Sequence, residues 1–195
     1  LLAALDAFGI DPGGLACVDV GASTGGFTDV LLARGARHVY AVDVGYGQLA
    51  WVLRSDPRVT VLDRTNVRDL SLEVIGDPVD VVVGDLSFIS LRLVLPALRT
   101  LLTPDADLAL MVKPQFEVGR DRVGSGGVVR EPALRTDAVV SVAESAHALG
   151  LGLVDVTASP LPGPSGNVEY FVWLRAGAPA PDHDRIRAAV EEGPQ

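Results

Sequence analysis

The chain has 195 residues, of which 48% are hydrophobic and 21% are charged, and its formal net charge is -9. This length and composition predict one well-buried domain rather than two. The longest apolar runs are shorter than a membrane-spanning helix requires, and the single cysteine, Cys17, cannot form a disulfide within the chain, so we expect a cytoplasmic protein. The acidic balance does not suggest a nucleic-acid partner, because negative charge repels polyanions at long range.

The chain begins inside a helical pattern. Residues Leu1 to Phe8 read as an amphipathic helix that has no capping residue before it. We therefore expect the chain to be a fragment of a longer protein. The apolar run Leu15–Val20 comes next and predicts a buried strand.

A glycine-rich loop joins this strand to a predicted helix. The stretch Asp19–Asp29 reads D-V-G-A-S-T-G-G-F-T-D, and its glycines permit positive φ and close approach of the backbone to a ligand. A second apolar run, His38–Asp43, ends in an acidic residue at the position where nucleotide-binding proteins hold a ribose. The loop and Asp43 together predict a site for a nucleoside cofactor.

The spacing of the glycines argues against NAD and ATP. Dinucleotide-binding loops read G-x-G-x-x-G, whereas Ala22 stands here in place of the second glycine, and the chain has no G-x-x-x-x-G-K-S/T segment. S-adenosylmethionine is the remaining common ligand of this topology, and it has a ribose but no phosphate. The alternative interpretation is that the glycines only form a tight turn of an α/β protein.

Strand and helix patterns alternate along the rest of the chain. Further strands are predicted at Val59–Leu62, Val79–Val83, Leu108–Val112, Leu153–Ala158 and Tyr170–Leu174, and helices near Gln48–Arg54, Leu91–Leu101 and Pro132–Leu149. This order predicts an α/β fold with a seven-stranded, mostly parallel sheet and helices on both faces. The last two strands are joined by a short segment rich in proline and glycine, so the final strand is predicted to be antiparallel.

Two segments fall outside this alternation. Pro114–Glu131 contains four glycines, and a glycine-containing connection of this length predicts a lid or a binding loop. Residues 177–195 are predicted to be a C-terminal tail with a short helix at His183–Glu192, and we assign no chemistry to them.

Polar residues at the ends of the predicted strands are the candidate catalytic groups, because ligands of parallel sheets lie there. Asp85 and Lys113 each follow a buried strand, and Glu169 begins the antiparallel strand, which brings it to the same edge. Lys113 is the only lysine beside 15 arginines, and an ammonium, unlike a guanidinium, can lose its proton. The competing interpretations are chance for the lysine, helix capping for Asp85 and an ordinary strand-end role for Glu169.

Five segments of the chain together resemble the TlyA/hemolysin-A family, whose C-terminal domain is an FtsJ-like methyltransferase. They are Asp19–Asp29, Asp63–Asn66, Gly84–Ser90, Val112–Glu117 and Gly166–Phe171. The resemblance implies a Rossmann-like class I methyltransferase domain over residues 1–176. It also implies that the domain uses S-adenosylmethionine to methylate the cytidine 2′-hydroxyl in ribosomal RNA. The family's N-terminal S4-type RNA-binding domain, absent from this chain, would make the chief contact with ribosomal RNA.

The resemblance also implies roles for single residues. FtsJ-like enzymes use a Lys-Asp-Lys-Glu tetrad, whose last three positions match Asp85, Lys113 and Glu169, and whose first lysine would lie just before Leu1. Gly25 and Phe27 would line the methionine and ribose region, Asp43 would bind the ribose hydroxyls, and Asn66 would lie at the adenine. The whole implied cofactor site is Asp19, Gly21, Ser23, Thr24, Gly25, Gly26, Phe27, Asp43, Asn66 and Asp85, with no metal.

Several alternatives stay open at the level of the sequence. Lys113 either deprotonates the ribose hydroxyl or steers its oxygen while water takes the proton. A methyltransferase with another acceptor is disfavoured, because the Asn/Asp-Pro-Pro-Tyr/Phe motif of amino methyltransferases does not occur. A membrane-lytic hemolysin would need a transmembrane span or a basic amphipathic helix, and neither pattern is found. Without the first lysine, we expect this chain to bind the cofactor but to transfer methyl groups weakly or not at all.

Overall fold

A seven-stranded sheet forms the centre of the computed structural model, which describes residues 1–194. The strands are β1 (Ala16–Val20), β2 (His38–Val42), β3 (Val59–Leu62), β4 (Val79–Gly84), β5 (Leu102–Val112), β6 (Leu151–Ala158) and β7 (Tyr170–Ala176). Their order across the sheet is β3-β2-β1-β4-β5-β7-β6. The pairings from β3 to β5 are parallel, whereas β7 runs antiparallel to both of its neighbours. The predicted mostly parallel sheet with an antiparallel last strand is confirmed.

Helices cover both faces of this sheet. They are α1 (Leu2–Phe8), α2 (Gly26–Ala33), α3 (Trp51–Arg54), α4 (Leu72–Ile75), α5 (Leu95–Arg99), α6 (Pro114–Glu117), α7 (Pro132–His147) and α8 (His183–Glu192). One apolar core contains residues of α1, α2 and α3, and the other contains residues of α5, α7 and α8. Within residues 1–194, no helix has the length and apolar character that a membrane crossing requires.

The strands are apolar throughout because both of their faces are covered. Cys17 and Val18 are adjacent residues of β1, and their side chains enter opposite cores. This is the pattern expected for a parallel strand that is buried on both faces. Burial also raises the pKa of the Cys17 thiol to about 12, as expected for a cysteine that serves as a core residue.

Three elements differ from the predictions. β5 begins at Leu102, six residues before its predicted start. The prediction missed these residues because Pro104 and two aspartates interrupt the apolar pattern there. The helix predicted near Gln48–Arg54 is confined to α3. The helix predicted over Leu91–Leu101 is divided into a 3-10 turn and α5, and Pro96, which has no N–H to donate, stands at the start of α5.

The C-terminal segment packs on the same domain. Asp182 caps α8 by accepting hydrogen bonds from the N–H groups of Asp184 and Arg185. Ile186 and Val190 are buried in the core that α5 and α7 also enter. Helix α8 therefore covers part of the sheet's second face.

Candidate active site

Four strands bring the candidate site together at one edge of the sheet. The carboxyl ends of β1, β4 and β5 lie side by side, with Val20 opposite Gly84 and Gly84 opposite Leu110. Because β7 is antiparallel, its amino end lies at this edge, and Val112 is paired with Tyr170. The residues just outside these strands are therefore neighbours in space although they are far apart in the chain.

Lys113 is the centre of a charged cluster in which Lys113 and Glu169 are buried and Asp85 is partly exposed. Its Nζ lies 2.6 Å from Asp85 Oδ1 and 3.9 Å from Glu169 Oε1, and it donates a hydrogen bond to Ser87 Oγ at 3.0 Å. Lys113 is only 8% exposed, and a charge with so little contact with water needs such partners. The structure thus brings the three predicted catalytic residues together and adds Ser87, which was not predicted.

Glu169 is held tightly on one side of this cluster. Gln115 Nε2 donates to Glu169 Oε1 at 3.3 Å. Burial raises the pKa of Glu169, and the nearby Lys113 and Gln115 oppose this shift. Gly163 lies so close that a side-chain carbon there would be 2.6 Å from Glu169 Oε1 and would displace the carboxylate. The carboxylate is therefore fixed by close contacts as well as by charge.

The glycine-rich loop follows β1, and backbone contacts determine its path. The N–H groups of Gly21 and Ala22 both donate to the carbonyl of Val42, at 2.9 and 3.1 Å. Gly21 has φ +81, and a side-chain carbon there would lie 2.6 Å from the Asp85 carbonyl oxygen. Gly25 has φ +105, and a side-chain carbon there would overlap Leu53. Glycine is required at both positions, for backbone conformation and for space.

Two carboxylates, those of Asp43 and Asp19, stabilise this loop through hydrogen bonds. Asp43 accepts hydrogen bonds from the N–H groups of Ser23 at 2.8 Å and Gly45 at 2.7 Å. Asp19 is buried, and Thr28 Oγ1 donates to its Oδ2 at 2.7 Å. The other oxygen, Asp19 Oδ1, has no hydrogen-bond partner within residues 1–194. Burial raises the pKa of Asp19 to about 7.

Two cavities meet at the charged cluster. The glycine-loop cavity has a volume of about 640 Å³ and is lined by Gly21, Ser23, Phe27, Asp85, Met111 and Phe171, among others. The aromatic cavity has a volume of about 840 Å³ and is lined by Phe88, Leu93, Phe116, Arg120, Gly127 and Asn167, among others. Ser87, Lys113, Pro164 and Glu169 line both. The Lys113 ammonium therefore stands between the two cavities.

The predicted cofactor residues occupy three positions relative to the glycine-loop cavity. Four of them line it: Gly21, Ser23, Phe27 and Asp85. Others form or support the loop behind the lining: Asp19, Thr24, Gly25 and Gly26. Asp43 and Asn66 lie further along the edge, beyond β2 and β3, where the carbonyl of Asp43 accepts from the N–H of Thr65. Asn66 is exposed and caps a 3-10 turn through the N–H of Arg68.

An aromatic pair, the exposed Phe88 and the partly buried Phe116, forms one wall of the aromatic cavity. Phe88 is 91% exposed, and its backbone has φ +65, which is uncommon for a bulky residue. Its ring lies 5.2 Å from the ring of Phe116, centroid to centroid. Neither residue was predicted to be functional. The only sign of them in the sequence is that Phe88 lies in the motif Gly84–Ser90 and Phe116 in the motif Val112–Glu117.

Known proteins match the chain along its whole length. The FtsJ-like methyltransferase family matches residues 1–176. The 16S/23S rRNA (cytidine-2'-O)-methyltransferase TlyA of Mycobacterium tuberculosis is 59% identical over 199 residues, and the match covers all of this chain and 74% of that protein. Hemolysin A of Brachyspira hyodysenteriae is 40% identical, with 84% of this chain and 69% of that protein covered.

A solved structure agrees with these sequence matches. A candidate hemolysin from Lactococcus lactis is similar to this chain with a TM-score of 0.92 and 40% identity, and the match covers 98% of this chain and 93% of that one. The glycine-rich loop and the strand ends that carry Asp85, Lys113 and Glu169 lie within the matched residues 1–176. The chain belongs to the FtsJ-like methyltransferase family and is a relative of TlyA.

Proposed function

We propose that the chain transfers the methyl group of S-adenosylmethionine to the 2′-hydroxyl of a cytidine in ribosomal RNA, and that it does so in the cytoplasm, where ribosomes are. The observation that carries this proposal is the position of Lys113 and Glu169 between two cavities, with Asp85 paired to Lys113 on the side of the glycine-loop cavity. One cavity takes the methyl donor and the other takes the acceptor nucleoside. The 59% identity to TlyA, which is named for this reaction, supports the choice of substrate.

The glycine-loop cavity suits S-adenosylmethionine in size and chemistry. Bound there, this cofactor supplies a methyl group on a positively charged sulfur. The stacked rings of Phe27 and Phe171, 6.0 Å apart, provide an apolar wall. Asp19 is buried behind the lining and supports the loop through Thr28, whereas Asp43 accepts from the N–H of Ser23 in the loop and is the candidate to bind the ribose hydroxyls. The described lining contains no arginine, and its one cationic side chain, Lys113, is already paired with Asp85.

Lys113 orients the acceptor oxygen. Its ammonium faces both cavities, and the 2.6 Å ion pair with Asp85 fixes its position. This pairing favours the role in which Lys113 donates a hydrogen bond to the ribose oxygen while water takes the hydroxyl proton. Such positioning matters because in-line attack requires the reacting atoms to be held about 3 to 3.5 Å apart.

Ribosomal RNA needs contacts beyond this acidic domain. Arg120 lines the aromatic cavity and supplies a local positive charge for a phosphate group. An N-terminal S4-type domain upstream of this chain makes the chief contact with RNA, as the family resemblance implies. Leu1, Leu2 and Ala3 line the glycine-loop cavity, so a lysine just before Leu1 would reach the charged cluster and complete the tetrad.

The test compares this chain with a version extended upstream. Both are assayed for cofactor binding by titration calorimetry and for methyl transfer to isolated ribosomal subunits. We expect both to bind S-adenosylmethionine and the extended version to be much the more active. A protein that does not bind the cofactor would refute the proposal as a whole. Binding without transfer to either subunit would indicate another acceptor.

The same preparations also test the rival function. Hemolysin A of Brachyspira hyodysenteriae is similar to the chain, and its name refers to lysis. We expect no release of dye from liposomes at protein concentrations that support methyl transfer. Leakage without methylation of ribosomal subunits would favour a membrane-lytic protein instead.

A further inference from the structure

Two buried polar side chains beside the aromatic cavity have no part in the chemistry above. Glu117 is 6% exposed and Asn167 is 2% exposed. They belong to the motifs Val112–Glu117 and Gly166–Phe171, and neither is a partner of the Lys113 ammonium. A buried carboxylate and a buried amide are costly unless they are hydrogen-bonded, so their partners indicate what they do.

Asn167 holds the glycine-containing segment that follows Glu117. Its Oδ1 accepts from the N–H of Val129 at 2.9 Å, and its Nδ2 donates to the carbonyl of Gly127 at 2.9 Å. Both ends of one amide are thus used on a segment about 40 residues earlier in the chain. Gly127 and Asn167 themselves line the aromatic cavity. Because Asn167 lies two residues before Glu169, one short stretch positions both this wall and the catalytic carboxylate.

Glu117 holds the opposite wall. Its Oε1 accepts from the N–H of Leu91 at 2.7 Å, its Oε2 accepts from Ser90 Oγ, and Arg92 Nε lies 3.4 Å from Oε2. Burial raises the pKa of Glu117, and these contacts oppose the shift. The residues that Glu117 binds follow directly after the segment that carries Phe88, and its neighbour Phe116 packs on Phe88.

Both walls are loops, and the sheet does not fix their shape. The segment with Phe88 lies between β4 and a 3-10 turn, and the segment with Gly127 lies between α6 and α7. Buried backbone N–H groups in such segments need side-chain acceptors. Leu91 and Val129 are both buried, and Glu117 and Asn167 supply those acceptors.

We propose that Glu117 and Asn167 are positioning residues, which set the distance between the two walls of the aromatic cavity and so place the acceptor nucleoside against Lys113. They act through the backbone groups of the walls to which they are hydrogen-bonded. This inference rests on the proposed function, because it takes the aromatic cavity to be the acceptor site. It predicts that acceptor placement can be lost while cofactor binding is kept.

The test uses the upstream-extended protein with Asn167→Ala and Glu117→Ala. We expect kcat/KM for ribosomal subunits to fall about 10- to 100-fold, because a displacement of about 1 Å in the acceptor can cost that much. The Kd for S-adenosylmethionine should change by less than about twofold. Amide hydrogen exchange should increase at Val129 in the first variant and at Leu91 in the second, since each N–H loses its acceptor.

Two further variants separate positioning from general stability. Glu117→Gln keeps an acceptor for the N–H of Leu91 and should restore most of kcat/KM. Ile186→Val removes a methylene group from the core under α8, outside the lining of both cavities, and should cost about 0.5 to 1.5 kcal/mol of stability without affecting kcat/KM.

Each outcome decides between the two proposals. If Ile186→Val lowers kcat/KM as much as Asn167→Ala does, or if cofactor affinity falls in parallel, the two residues are merely structural. An unchanged kcat/KM in Asn167→Ala and Glu117→Ala would overturn the positioning role alone. Absence of methyl transfer by the unmodified extended protein would overturn the proposed function itself.

Discussion

The two sides of the site are built by different means. On the cofactor side, backbone groups and glycines define the loop, and Gly21 and Ala22 both donate to one carbonyl of β2. On the acceptor side, buried charged side chains define the geometry, with Lys113 3.9 Å from Glu169 and paired with Asp85 at the boundary to the cofactor side. Backbone geometry tolerates many sequences as long as the glycines remain. A buried charged cluster depends on each of its members.

This difference predicts which changes affect which property. A substitution on the acceptor side should reduce catalysis and leave cofactor binding intact. A substitution on the cofactor side should act on the stability of the loop and on cofactor affinity together. The predictions below test that division, beginning with the largest effect.

Lys113→Ala should have the largest effect. We expect methyl transfer to fall by about 10³-fold or more, because the group that orients the acceptor oxygen is lost. Calorimetric titration should show S-adenosylmethionine binding within about threefold of the parent. Lys113→Met, which keeps the length of the side chain without its charge, should be equally inactive. Near-normal turnover in either variant would remove Lys113 from the catalytic role.

Asp19→Asn should change the pH dependence of stability. Burial raises the pKa of Asp19 from 3.8 to about 7, so the folded protein holds this proton more tightly than the unfolded chain does. The cost of ionising Asp19 is therefore absent below about pH 4 and complete above about pH 7. It amounts to up to ~4 kcal/mol, at 1.36 kcal/mol per pKa unit.

Urea unfolding of the parent and Asp19→Asn between pH 4 and 8 measures this cost. The variant should be more stable at pH 8, and the difference should vanish toward pH 4. Two curves that stay parallel over this range would show that Asp19 ionises normally.

Gly25→Ala and Gly26→Ala form a matched pair on the cofactor side. Gly25 has φ +105 and no space for a side chain, whereas a side-chain carbon at Gly26 meets no atom within 4 Å. Gly25→Ala should lower the free energy of unfolding by about 2 to 3 kcal/mol and weaken cofactor binding. Gly26→Ala, at the first residue of α2, should be neutral or stabilise by up to about 1 kcal/mol. Equal effects in urea unfolding would contradict the described loop geometry.

Asp43→Ala should give the smallest effect. The change removes the acceptor for the N–H groups of Ser23 and Gly45 as well as the proposed ribose contact. We expect affinity for S-adenosylmethionine to fall about tenfold, which corresponds to ~1.4 kcal/mol. Asp43→Asn keeps one acceptor oxygen, so its affinity for S-adenosylmethionine in calorimetry should lie between those of the parent and Asp43→Ala. Unchanged affinity would exclude Asp43 from the ribose role.

The sequence predicts the sheet well because buried parallel strands have continuous apolar runs. β1 and β4 were predicted to within one residue at each end. The antiparallel direction of β7 followed from a connection too short for a crossover. That direction is what placed Glu169 among the candidates beside Lys113. The first six residues of β5 were missed because Pro104 and its polar neighbours interrupt the apolar pattern.

The walls of the aromatic cavity could not be predicted in the same way. Gln115 and Asn167 contact groups 54 and 40 residues away, and no periodic pattern reports such contacts. From the sequence alone, Phe88 cannot be distinguished from an ordinary surface residue, because its role depends on its contact with Phe116 in the cavity wall. Pro114–Glu131 was predicted as a glycine-containing loop, and the structure divides it into α6 and short 3-10 turns. Its role at the cavity depends on tertiary contacts alone.

The insertion of β7 between β5 and β6 has a consequence for the order of folding. β7 is the last strand of the chain, and it carries Glu169 to a site whose other members come from β4 and β5. Contacts between residues far apart in sequence form late, because closing the chain between them costs entropy. The charged cluster is therefore complete only once the hairpin of β6 and β7 has docked against β5.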